Sequence, residues 1–208
     1  MSVTLQLPLV LKLTDEQFEQ LAAANRELQL ELTTRGELIV MPPTGGETGN
    51  RNFEIYIDLG NWNRQNHLGK AFDSSTDFRL PNGATRFPDV SWVRIERWNA
   101  LTQARRKKFL PLCPDFAIKL RKVRCGGSSR CSTFSRELSE TDELADTQVK
   151  MQEYLDNGLQ LGWLINPSTK QVEIYRAGQE VKILAAPTTL SGEDVLPGFV
   201  LDLQPIFA

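Results

Sequence analysis

Asp89 lies in Phe87-Pro88-Asp89-Val90-Ser91-Trp92-Val93, a stretch that is otherwise almost wholly apolar. A carboxylate in such a run must be solvated, ion-paired or bound to a metal, because an isolated buried charge is very costly. From the residues alone, a strand-edge Asp facing solvent is as good a reading as a functional carboxylate. Other chemistry-bearing types are sparse. Cys113, Cys125 and Cys131 lack paired metal-ligand spacing, and the single histidine, His67, is remote in sequence, so a zinc site is disfavoured and three thiols are expected. His67, beside Leu68-Gly69, reads as a residue of a helix C-terminal turn, and any Ser/His/Asp arrangement would have to use it. Gly45-Gly46 is not followed by Lys-Ser/Thr and reads as a strand-to-helix turn rather than a phosphate cradle. Arg105-Arg106-Lys107-Lys108 could meet a DNA backbone, although a solvated helix face is the readier reading.

The elements that must position these groups come from 208 residues with 40% hydrophobic content, which suits one domain over residues 1–208 better than two. The formal net charge of -2 gives no global attraction to a polyanion, so nucleic-acid binding would need a local basic patch. No apolar run is long enough to span a bilayer, and Met1 to Leu11 lacks a basic n-region and a cleavage site. A cytoplasmic location without a membrane partner is therefore expected, with the thiols reduced.

Thr14-Asp15-Glu16-Gln17 predicts a helix start, with Thr14 as N-cap and Phe18, Leu21 and Ala22 at helical spacing. Leu28 to Leu32 and Glu37 to Met41 flank a Gly36 turn and predict a hairpin. The stripe of Phe53, Ile55, Ile57, Leu59 and Trp62 marks the main packing helix, from about Glu47 to Gln65. Strands are expected over Lys70–Leu80, Phe87–Ile95 and Asp115–Leu120, with a polar helical stretch from Glu96 to Lys107. A helix from about Thr141 to Asn157 closes at Gly158, followed by a buried strand from Leu161 to Ile165 and a hairpin around Ala177-Gly178. This order makes an α+β or mixed α/β domain. Lys119 to Arg136 is basic, rich in Ser, Gly and Cys, and without periodicity where a short connection is expected; it reads as an irregular insertion at about 121–136.

Five blocks carry a family resemblance: LELTTRGELIVMPPTGGETGNRN (30–52), FRLPNGATRFPDVSWV (78–93), LCPDFAIKL (112–120), KMQEYLDNGLQLGWLINP (150–167) and LSGEDVLPGFVLDL (190–203). Their order and spacing resemble the Uma-type restriction-endonuclease family over nearly the whole chain apart from the insertion. The resemblance implies the PD-(D/E)xK nuclease fold: an α/β (α+β) restriction-endonuclease-like core, with a central mixed sheet flanked by helices and extra C-terminal strands. It implies metal-dependent endonuclease chemistry on nucleic-acid phosphodiesters, with Mg or Mn as cofactor and DNA as partner; a homodimer stays open. Hard oxygen ligands suit a hard cation, and a positive group suits the charge that develops in phosphoryl transfer. On this resemblance Asp89 takes the strand-Asp position, Glu31 is the acid from the N-terminal hairpin, and Lys150 supplies the motif's positive group from the helix.

The chain departs from the pattern where the family carries an acid after the apolar stretch of the third strand, because here the sequence is Ile118-Lys119-Leu120. A lysine cannot ligate the metal, and it places positive charge where negative charge is required. Arg136-Glu137-Leu138-Ser139 resembles the family's Glu-Leu-(x)-Ser run, so Glu137 is a candidate replacement ligand beside Asp89 and Glu31. Two readings follow: a Mg-dependent endonuclease, or a catalytically impaired member that acts as a binding or interaction module. If residues 115–120 form the third strand, Lys119 is expected to point at Asp89 and to compete with a divalent ion for its oxygens.

Overall fold

The structure is a computed structural model and describes residues 12–41, 43–121 and 140–208, with side chains in the last segment from residue 144 onward. The chain opens with α1 (Asp15–Ala24), set by a complete capping box. Gln17 N–H donates to Thr14 Oγ1 at 3.3 Å, and Thr14 N–H donates to Gln17 Oε1 at 2.9 Å. Phe18 on this helix is buried against Leu30 and Leu32 of the following hairpin, β1 (Gln29–Leu32) and β2 (Leu38–Met41). The pairing of Gln29 with Met41 through Leu32 with Leu38 turns Leu30 and Leu32 to one face of β1 and Glu31 to the other. Gly36 makes the turn with φ +77°, and a Cβ there would come within 2.8 Å of the Leu13 carbonyl oxygen.

Helix α2 (Gly46–Asn66) buries Ile55, Leu59 and Trp62 and ends at His67, a left-handed C-cap with φ 57° whose N–H bonds to Asn63 O. His67 is thus the helix-terminating residue that its neighbours indicated.

Next come β3 (Gly69–Phe72), β4 (Phe78–Arg79), β5 (Thr85–Arg86), β6 (Val90–Arg94), α3 (Ile95–Asn99) and β7 (Phe116–Leu120). Two expected strands differ from their expected bounds. The stretch expected as one strand over Lys70–Leu80 breaks at Asp73, whose Oδ1 accepts from Ser75 N–H, Ser75 Oγ and Thr76 Oγ1, so β3 and β4 enter different sheets. The stretch expected over Phe87–Ile95 is a strand only as β6, and Phe87, Pro88 and Asp89 form the crossover from β5, in the other sheet, to β6. Proline has no N–H for a ladder, so the strand yields there. The helix expected from Glu96 to Lys107 is only the five residues of α3 and a 3₁₀ turn at Arg105–Lys107.

After α4 (Glu140–Asp156) follow β8 (Leu161–Asn166), β9 (Gln171–Arg176), β10 (Lys182–Ala185), β11 (Thr189–Ser191), β12 (Val200–Asp202) and the short α5 (Gln204–Phe207). The central sheet runs β10-β9-β8-β7-β6-β3. It is mixed, because β7 and β8 are parallel, joined through α4, while the other pairs are antiparallel. A four-stranded sheet, β2-β1-β5-β4, stands beside it, and β11 and β12 form the extra C-terminal ribbon.

Side-chain alternation splits the core across the central sheet. Val90, Trp92, Phe116, Ile118, Trp163 and Ile165 face α2 and the C-terminal segment, where Phe116, Trp163 and Phe199 form a ring cluster. Val93, Ala117, Leu164 and Tyr175 face α4 through Met151 and Tyr154. No described helix is long and apolar enough to cross a membrane. Residues 122–136 of the expected insertion, with Glu137, Cys125 and Cys131, lie outside the described residues.

Candidate active site

Four elements converge on the α4 side of the central sheet: β1, the crossover at residues 87–89, β7 and α4. Glu31 projects from β1 away from the Phe18 cluster and is fully buried. Its Oε2 accepts from Lys150 Nζ of α4 at 2.7 Å and from Arg86 Nη1 of β5 at 3.4 Å, and its Oε1 accepts from the Phe87 N–H at 3.3 Å. Burial alone would push the Glu31 carboxyl up, but Lys150, Lys119 and Arg86 together overcome it and hold the group below its ordinary range. Lys150 moves down as well, because burial and the positive charge of Lys119 outweigh the support from Glu31.

Asp89 is not inside a strand as its sequence context suggested; it is the last residue of the crossover, immediately before β6. Its N–H donates to Ile118 O at 3.0 Å, and its Oδ2 accepts from Leu120 N–H at 2.7 Å. The register pairs Val90 with Ile118, which sets Asp89 opposite Lys119. Lys119 is buried, and its Nζ donates to the Phe87 carbonyl at 2.5 Å and to Asp89 Oδ1 at 3.4 Å. The backbone of one residue therefore links the two acids, since Phe87 gives its N–H to Glu31 and its carbonyl to Lys119, which reaches Asp89. Ala117 and Lys119 share the α4 face of β7; Asp115 precedes the strand and instead accepts from Arg94 N–H and pairs with Arg97.

The structure brings Glu31, Asp89 and Lys150 into one cluster, with Lys119 among them. Arg86, Glu153 and Tyr56 also belong here, and the sequence reading did not single them out. Arg86 Nε bonds to Glu153 Oε2 at 2.5 Å, and Glu153 with Asn157 also holds Asn82. Lys150 and Glu153 of α4, with Asn157 just past its end, form the stripe that grips β1 and the β4–β5 turn. Tyr56 Oη, from α2 across the sheet, donates to Asp89 O at 2.6 Å and accepts from Ser74 N–H at 2.8 Å. An arginine beside an apolar run was the available signal for Arg86; the others have partners too distant in sequence to show in any spacing.

A divalent ion does not fit the described donor set. Among the described residues no group of three or more His, Cys, Asp or Glu side chains could hold a metal. Each carboxylate oxygen of Glu31 and Asp89 already accepts from the chain's own N–H or ammonium groups, and an ammonium stands where a further acid would be needed.

A family sequence model described as "Uma2: Putative restriction endonuclease" matches residues 15–122 and 137–204. No curated protein sequence gives a significant match. The crystal structure of a protein from Anabaena variabilis ATCC 29413, titled a "putative nuclease", is similar in fold, with a TM-score of 0.66 at 18% identity over 87% of this chain and 90% of that chain.

Proposed function

Given that the chain belongs to the Uma2 family, we propose that it engages nucleic-acid phosphodiesters at the Glu31–Asp89–Lys150 cluster as a binding module of nuclease ancestry, with metal-dependent hydrolysis impaired. The observation that carries this reading is that both acids are already paired within the chain. Lys150 and Arg86 occupy Glu31, while Lys119 and Leu120 N–H occupy Asp89. In an active endonuclease of this fold those oxygens would hold Mg²⁺ or Mn²⁺, which polarises the phosphoryl group and supplies the attacking water. Here the chain's residues hold one another.

Lys150 is the more accessible of the cluster's two lysines, and its charge is the natural contact for a phosphate oxygen. Binding to DNA through few such contacts is expected to be weak and to fall with salt. The test is a pair of assays on one preparation: fluorescence anisotropy with a labelled DNA duplex at two salt concentrations, and plasmid nicking with Mg²⁺ or Mn²⁺. Salt-sensitive binding without nicking supports the reading; nicking at ordinary endonuclease rates refutes it.

A second reading, a working metal-dependent endodeoxyribonuclease, has one observation in its favour: the family match resumes at Glu137. In that case Glu137 supplies the missing carboxylate, and Asp89, Glu31 and Lys150 serve as metal ligands and positive group. Nicking by the unaltered chain that disappears in Glu137→Gln would establish it.

A further inference from the structure

We propose that Lys119 is a tethered counter-ion that has taken over the electrostatic work of a divalent cation, so that the junction of β1, the crossover and α4 holds together without metal. The inference deepens the reading above, and its probe is metal alone, so that its failure is separable from failure to bind nucleic acid.

The register is the first support. Lys119 sits opposite Asp89 on the α4 face of β7, and its short contact to the Phe87 carbonyl fixes the ammonium on the crossover itself. A buried lysine must have such partners, because an unpaired ammonium in these surroundings is very costly. Charge balance is the second. The cluster holds two acids, Glu31 and Asp89, against two ammoniums, Lys150 and Lys119, while Arg86 and Glu153 neutralise each other just outside. An acid at position 119 would leave three carboxylates facing one ammonium, an excess that an external cation would have to offset. Reach is the third: Lys119 contacts Asp89 directly and its charge is felt at Glu31, so one side chain serves both acids that a bridging ion would serve.

The proposal makes metal dependence a property of one position. The unaltered chain, Lys119→Glu and Lys119→Met would each be titrated with MnCl₂ by calorimetry and followed by thermal unfolding. The unaltered chain is expected to give no saturable heat and an unchanged Tm. Lys119→Glu is expected to bind Mn²⁺ about tenfold or more tightly than the unaltered chain and to gain Tm with metal. Both gains should vanish when Asp89→Asn is added. Lys119→Met removes the ammonium without adding a ligand, so its Tm should fall and Mn²⁺ should not restore it. Should Lys119→Glu fold only with Mn²⁺ present, that too supports the proposal. Mn²⁺ binding by the unaltered chain as tight as in Lys119→Glu, or a Lys119→Met variant as stable as the original, overturns it whatever group supplies the ligand.

Discussion

Replacing Glu31 by Gln keeps the volume of a fully buried side chain and removes the one negative charge that Lys150 and Arg86 share. Breaking the pair leaves Lys150 uncompensated, while Arg86 keeps Glu153, and is expected to cost about 3 kcal/mol at neutral pH. The sign with pH follows from the direction of the shift. The folded carboxyl lies below its ordinary 4.5, so its contribution is complete above that value and is lost as pH falls through the lowered one. Urea unfolding of Glu31→Gln and the unaltered chain at pH 7 and pH 3 should therefore show a gap that shrinks in acid; an equal gap at both would mean that charge is not its origin. Asp77 behaves oppositely. Burial raises it from 3.8 to about 6, and among the described residues no ion pair reaches it, so stability falls as pH rises through that window. Asp77→Asn should gain about 1–2 kcal/mol at pH 8, after discount for partial exposure, and nothing near pH 3. Of the site residues, Asp89 showed itself as a carboxylate in an apolar run, whereas Glu31 and Lys150 were visible only through family resemblance. The Phe87 peptide and the Leu120 N–H were invisible, because a backbone group carries no residue type to read.

At the scale of elements, the site depends on a crossover rather than on a strand. Helices and hairpins with strong local signals were legible: the Thr14–Gln17 box, the Gly36 turn and the apolar stripe of α2 all describe short-range chemistry. The divisions at Asp73 and at Phe87–Asp89 were not read: the polar run Asp73-Ser74-Ser75-Thr76-Asp77 was a turn signal passed over inside an expected strand, whereas at Phe87–Asp89 apolar content continues while hydrogen-bond partners change from one sheet to another. Tyr56 locks both breaks at once, through Asp89 O and Ser74 N–H. Tyr56→Phe leaves two backbone groups short of a partner and should cost about 1–3 kcal/mol. Amide exchange should speed up at Ser74, whose N–H donor loses its acceptor, while α1 stays unchanged; uniform acceleration would show that the loss is global rather than local. Gly69 makes the complementary case for close packing. A Cβ there would lie 2.3 Å from the Trp92 ring and from the Val93 carbonyl oxygen, a clash that backbone cannot easily relieve. Gly69→Ala should cost about 3 kcal/mol, read from the urea midpoint with an unchanged slope.

The whole molecule is two stretches of family-like chain with residues 123–136 between them, and that division was legible because the segment lacks any apolar period. The connection runs from the end of β7 to the start of α4, the helix that carries Lys150 and Glu153 to the cluster. Excising residues 123–136 would leave 121, 122 and 137–139 as the link, a length within the usual range for a strand-to-helix loop. Closing a chain segment costs free energy that grows with the logarithm of its length. Shortening this connection roughly fourfold should therefore stabilise the protein by about 1 kcal/mol, provided that the removed residues contribute no packing of their own. The excised chain is expected to keep its far-ultraviolet circular dichroism and to unfold at a slightly higher urea concentration. A loss above about 2 kcal/mol would mean that the segment adds contacts beyond the family fold. Because β7 and α4 are joined in sequence through this connection while the Lys119–Asp89 and Lys150–Glu31 pairs are linked in space through Phe87, the same variant tests these pairs as well. If these pairs position α4, Lys119→Met should cost as much in the excised chain as in the full one. A much smaller cost would show that the connection, rather than the ion pairs, governs where the helix sits.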